Sequence, residues 1–275
     1  PESAFEGLVG EVTESRYLAL MFTMFLAAAS PAASPNLRPD IAKIVQDSAR
    51  VTEADRQASP AYDYSETDKQ PDGSTKTWAV RMLLGSPYRI LTAVNGEPLD
   101  PPQQSRRQQK LKQETARRQR ESAGARKRRI GAYQKEQERD RHFITEFVGA
   151  FNYSLQGEQE MKGRKVYVVD ATPRPGFQPN DHETQVMTGM RGKLWIDEQT
   201  HHWVRVQAEV THPVSIEGFL ATVQPGTRFE LERAPVGNGV WLPTHYAMAA
   251  DAKVLSVFNK RDQADETYFD YRQPR

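Results

Sequence analysis

"AFNYSLQGEQEMKGRKVYVVDATPRP", Ala150–Pro175, is the stretch whose reading decides the fold. It reads as two strands around a Lys162-Gly163 turn, a hairpin joining antiparallel neighbours. Its second half, "VYVVDA", is apolar on both faces, and a strand of that kind must be covered on both faces by more sheet or by helices.

The same texture recurs along the chain. "AYDYSETDKQPDGSTKTWAVRMLLG" turns at Pro71-Asp72-Gly73, and "YRILTAVNGEPLD" is a third strand ending at Asn95-Gly96. Later hairpins turn at Asp197-Glu198-Gln199, Gly237-Asn238-Gly239 and Lys260-Arg261-Asp262. In "WVRVQAEV" the alternation puts Val204, Val206, Ala208 and Val210 on one apolar face, opposite Arg205, Gln207 and Glu209. About ten or eleven strands in hairpin succession predict one antiparallel sheet paired in sequence order. Before it, 36–57 reads as a helix with Ile41, Ile44, Val45, Ser48 and Val51 on one buried stripe.

Composition bounds the chemistry. The 275 residues include no cysteine, which excludes disulfides, thiolate metal sites and cysteine nucleophiles. Residues 16–34 have the layout of a secretory signal: Arg16, an apolar run from Tyr17 to Leu26, then small residues and prolines. The run is too short to span a bilayer comfortably. Residues 1–34 are therefore expected to be a signal peptide with the residues upstream of it. Residues 35–275 form a single exported, periplasmic domain whose mature form begins between Ser30 and Pro35.

The chain holds 37 basic and 36 acidic residues, but the charge is unevenly placed. Ser105–Arg141 carries fourteen Lys and Arg against five acids, leaving 23 bases against 31 acids elsewhere. This asymmetry points to an anionic partner. Export removes nucleic acid from consideration, and anionic lipid headgroups take its place, with Arg117, Arg118, Arg126, Lys127, Arg128 and Arg129 as the contact residues. The competing reading is a solvated helix with acid–base pairs at i, i+4. The insertion, 103–149, reads either as one helix or as a hairpin bent near Gly124. From Ser105 to Tyr133 it is nearly devoid of apolar residues, so it is expected to project and to be dispensable for folding. At its end Phe143, Ile144, Phe147 and Phe151 form an apolar stripe facing the sheet.

No G-x-S-x-G, H-E-x-x-H, Walker or G-x-G-x-x-G motif occurs, so no enzyme and no cofactor is expected. Adjacent His201 and His202 point to opposite faces of a strand and read as solvated turn residues rather than metal ligands. Trp78, Trp195, Trp203 and Trp241 read as core.

The order of "VNGEPL" (94–99), a charged helix, "AFNYSLQGEQEMKGRKVYVVDATPRPGFQP" (150–179), "GKLWID" (192–197), "GVWLP" (239–243) and "YFDYRQ" (268–273) resembles the outer-membrane lipoprotein-sorting group, the LolA/LolB-like superfamily. The resemblance covers about residues 36–273 and departs at the long basic insertion. It implies an α+β fold, a curved antiparallel half-barrel with helices against its concave apolar face. It also implies a non-catalytic carrier or sensor that takes an acylated ligand or lipoprotein in a cavity under a helical lid. The apolar stripe at the helix end offers Phe143, Ile144, Phe147 and Phe151 as cavity or lid residues. The competing function is a structural or protein–protein module of the envelope whose core is filled by its own side chains.

Overall fold

A computed structural model describes residues 39–182, 184–216, 221–254 and 258–274. The expected signal segment and mature N-terminus lie outside the described residues.

The chain folds as α1 (Ile41–Ala58), β1 (Asp63–Lys69), β2 (Thr75–Leu83), β3 (Ser86–Val94) and β4 (Glu97–Pro98), then α2 (Pro101–Arg120) and α3 (Ala123–Ala150). It continues with β5 (Phe151–Met161), β6 (Arg164–Pro173), β7 (Met190–Asp197), β8 (Trp203–Val210), β9 (Val214–Ile216) and β10 (Ala221–Val223). It ends with β11 (Arg228–Gly237), β12 (Val240–Val254) and β13 (Phe258–Arg272). Asp40 caps α1 by accepting the Lys43 N–H at 3.1 Å.

Thirteen strands among the described residues form one antiparallel sheet, ordered β4-β3-β2-β1-β13-β12-β11-β8-β7-β6-β5, with β9 and β10 added beside β12. The sheet does not close and is an α+β half-barrel. Sequence-order pairing holds except at three places, one of them the β10–β12 pair. Strand β11 reaches past β9 and β10 to β8, and β1 pairs with β13 in mid-sheet. The short β9 and β10 add to the expected strand count. Lys260-Arg261-Asp262, expected at a turn, lies within β13 and pairs with β12.

The two faces of the sheet carry different cores. Val169, Leu194, Val206, Phe229, Leu231 and Tyr246 join α1 and the end of α3 in the main core. On the opposite face Val166, Val168, Trp195, Val204 and Trp241 pack together. Val204 is therefore not on the face with Val206, Ala208 and Val210. A β-bulge, where Trp195 opposes Arg205 and Ile196 opposes Trp203, reverses the alternation and sends Trp203 inward instead. The outer cluster is roofed by cations, with Arg164 4.7 Å over Trp241 and Arg205 5.5 Å over Trp195. Trp195, Trp203 and Trp241 are buried, while Trp78 is half-buried under Arg89.

Helix α1 is fastened by polar groups. Its buried residues run through Ser48, Thr52 and Asp55, whereas Val51 is only half-buried. Trp203 Nε1–H donates to Ser48 Oγ at 3.0 Å. Arg233 donates to Thr52 Oγ1 at 3.2 Å, Asp55 Oδ2 at 3.1 Å and the Trp241 carbonyl at 2.6 Å, and Trp241 N–H donates to Asp55 Oδ1 at 3.0 Å. Burial lowers Arg233 from its usual pKa and Asp55 opposes that shift. His202, read as a solvated turn residue, is buried, stacked 5.0 Å from Trp241 with Nε2 3.4 Å from Asp55. Its side chain completes this knot because β8 begins one residue later. Removing one partner of such a pair strands the other charge in the interior. Asp55→Ala is therefore expected to cost about 3–5 kcal/mol in urea unfolding. Asp55→Ala combined with Arg233→Met should recover most of that loss.

Candidate functional site

The four candidate lid residues converge, as core. Ile144, Phe147 and Phe151 are buried and Phe143 packs against them half-buried. Phe147 lies 5.3 Å from Phe151, 5.7 Å from Tyr153 and 5.5 Å from Trp203, ring centre to ring centre. Tyr153 Oη donates to the Phe147 carbonyl at 2.5 Å. The apolar half of the helix-covered face is thus filled by the protein's own side chains. Phe147→Ala should destabilise by about 3–5 kcal/mol in chemical denaturation, as a core truncation does.

The basic insertion is two helices, and the break is not at Gly124. Asp100 caps α2 and Ser122 caps α3, accepting the Ala125 N–H at 3.2 Å, so Gly124 lies inside the first turn of α3. Nor does the insertion project freely. Strands β2 and β3 turn through Leu84 and Gly85, both at positive φ (49° and 93°). Buried Arg118 donates to the carbonyls of Leu83 (2.7 Å), Ser86 (2.9 Å) and Pro87 (3.3 Å) and to Ser86 Oγ (3.0 Å). Arg129 donates to the Leu84 carbonyl at 3.1 Å and Ser86 Oγ at 2.8 Å, and pairs with Glu121. A Cβ on Gly85 would stand 2.9 Å from Ile130 Cδ1, so the helix lies directly on the turn. The connection also runs from one free edge of the sheet, β4, to the other, β5. These contacts correct the expectation that the basic stretch projects from the fold.

The six expected surface contacts therefore separate. Arg118 and Arg129 are spent on the turn. Arg117 is exposed and bound to Glu114 at 2.6 Å, and Arg126 lies 3.7 Å from Glu121. Lys127 and Arg128 are exposed with no ion pair among the described residues.

Glu114 is held by Arg117 first and then by Arg118, which bring its carboxyl down to about 2. Because the folded value lies below the usual one, its contribution is complete above about pH 4.5 and fades as the pH falls through about 2. Arg118→Ala is expected to weaken the fold by about 3 kcal/mol, the scale of charge-assisted hydrogen bonds lost. Amide exchange should show the loss concentrated in α2 and the β2–β3 turn, with the β5–β8 core still protected.

Between the core and the far edge the helix-covered face turns polar. Buried Glu66, Asp68 and Glu266 bring carboxylate oxygens within 4.8 Å of one another. Arg89 bridges Glu66 (2.6 Å) and Asp68 (2.9 Å), Trp78 Nε1–H donates to Asp68 at 3.0 Å, and Tyr268 donates to Glu266. Burial holds the Tyr64 and Tyr268 phenols well above their usual pKa, so they remain donors. A cluster already bridged by a guanidinium and two ring donors reads as a structural network.

At the sheet's edge the same face opens into a groove of about 610 Å³. Its floor is Leu91, Val94, Pro98 and Leu99. Its wall is the first half of α2, with Gln103, Arg106, Arg107 and Lys110, and Glu97 stands at the rim. The helix is held at both ends of this span, by the Gln104 Nε2–H to Leu99 carbonyl bond at 2.5 Å and by Arg118. The sequence carries a local signal for this wall. Arg106, Arg107 and Lys110 fall at i, i+1 and i+4, one face of a helix that follows an apolar edge strand.

The architecture defines a class, an open antiparallel half-barrel with helices laid over one face. Among solved structures the chain is similar to a domain described as an outer membrane lipoprotein-sorting protein from Vibrio parahaemolyticus, at 10% identity and a TM-score of 0.29, over 83% of this chain and 92% of that one. It is similar to a DUF1329 family protein from Desulfovibrio piger, at 12% identity and a TM-score of 0.29, over 83% and 92%. A LolA superfamily protein from Nitrosomonas europaea gives 13% identity and a TM-score of 0.29, over 85% and 93%. These include the group that the sequence resembles. No family model and no curated protein matches. No helix among the described residues is long and apolar enough to cross a membrane.

Proposed function

We propose that this chain is a non-catalytic, exported binding protein of the cell envelope that takes an acylated ligand, a lipid or a lipoprotein, as a carrier or sensor. The supporting observation is the groove under α2, where an apolar floor lies beneath a helix fastened at both ends. Burying an acyl chain contributes about 0.8 kcal/mol per CH₂, so such a floor suffices without any reactive residue. The ligand occupies this groove rather than the space under Phe143, Ile144, Phe147 and Phe151, which is filled. Around the Glu121–Ser122 turn, exposed Arg117, Arg126, Lys127 and Arg128 form the anionic-membrane contact. That attraction decays over about 8 Å at physiological salt.

The packed Phe147 cluster favours a second reading, a structural or protein–protein module whose core is its own. Thermal unfolding separates the two. A ligand that binds only the folded state raises the melting temperature with its concentration. The first reading expects that rise with long-chain lipids, and expects Val94→Asp to remove it while leaving the unliganded melting temperature nearly unchanged. A flat response across lipids of every head and chain length would leave only the second.

A further inference from the structure

The groove's wall carries information that its floor does not. Arg106, Arg107 and Lys110 line it from one helix face, directly over Leu91, Val94, Pro98 and Leu99. Their side chains make no ion pair or hydrogen bond among the described residues. Arg117 and Arg118 both take Glu114, and Arg129 takes Glu121. Glu97 is the acid lining the groove, so its walls hold three cations against one carboxylate. Across the same face, Arg89 is committed to Glu66 and Asp68. An anionic head would be repelled from that acidic band and drawn to the α2 wall.

We propose that the groove binds a single-chain lipid ending in a phosphate monoester, with the acyl chain on Leu91, Val94, Pro98 and Leu99 and the phosphate on Arg106, Arg107 and Lys110. The charge balance selects this head. A phosphate monoester carries about −1.5 to −2 near neutral pH, matching the net excess of two positive charges, whereas a fatty-acid carboxylate carries one. Arginine's fork suits phosphate oxygens, two at a time. A volume of about 610 Å³ falls in the ordinary range for a site holding one small ligand, hence one chain.

This inference rests on the acyl-binding reading above, and the test separates the two. Three probes of equal chain length are titrated calorimetrically into the full chain below their micelle concentrations: lysophosphatidic acid, lysophosphatidylcholine and the free fatty acid. Lysophosphatidic acid should bind about tenfold more tightly than either of the others, the scale of one or two charge-assisted hydrogen bonds. The margin should shrink as salt rises. Arg106→Gln, Arg107→Gln and Lys110→Gln together, on a helix held elsewhere by Gln104 and Arg118, should bring all three probes to the lysophosphatidylcholine level. The melting temperature should stay unchanged. Equal binding of all three by the unaltered chain, or a preference that survives the triple replacement, overturns the head assignment and leaves the acyl site standing. A fatty acid that matches lysophosphatidic acid overturns the choice of phosphate. No binding of any probe overturns both readings.

Discussion

The two free edges of the sheet, β4 and β5, are consecutive in the chain. Whatever joins them must cross the sheet, and much of the rest of the structure answers that requirement. Ten interstrand spacings amount to about 48 Å of flat sheet, which curvature shortens. The 28 residues of α3 make a rod of about 42 Å. The crossing helix has to begin in water and end in the core, which is why its composition changes along its length from Arg126-Lys127-Arg128 to Phe143, Phe147 and Phe151. It also has to be fastened at its start, where it has little apolar surface to bury. Arg118 and Arg129 do this with hydrogen bonds to a tight turn instead of with packing.

The sequence shows the parts of this plan that local pattern controls. Strand alternation marks the hairpins, and the i, i+4, i+8 spacing of Phe143, Phe147 and Phe151 marks the buried end of α3. What it hides depends on partners far along the chain. Nothing local separates Arg118 from Arg117, since the difference lies in a turn more than thirty residues earlier. Thr52 and Asp55 continue the buried stripe of α1 past Ser48, but a hydrophobic pattern gives no reason to count them. The bulge at Val204 is likewise invisible, because an inserted residue leaves the letters alternating while the faces exchange. The helix break was legible in principle. Ser122 is a good N-cap and Gly124 merely a weak helix former, and capping decided the matter.

One face of the sheet serves three chemistries in sequence. Under α1 and the end of α3 it is apolar and filled. In the middle it carries carboxylates, a guanidinium and phenols bound to one another. Under α2 it is apolar again but open, with unpaired cations above it. The acidic middle band keeps the filled zone and the open zone apart. An anionic group at this edge would face cations on the α2 side and carboxylates on the other.

The pairing of β1 with β13 governs how this chain can fold. Thr67 lies opposite Thr267, so the contact that unites the sheet joins residues 200 positions apart. Until β13 arrives, β1–β3 and β5–β12 are separate pieces, each with an additional raw edge at β1 and β12. Contacts of such long range make for slow folding, because the loop they close must be ordered before they reward it. Before that pairing forms, the β1 and β12 edges are bare, and bare edges invite pairing with other chains. The interval before β13 docks is therefore the one in which this sheet is most open to misassembly.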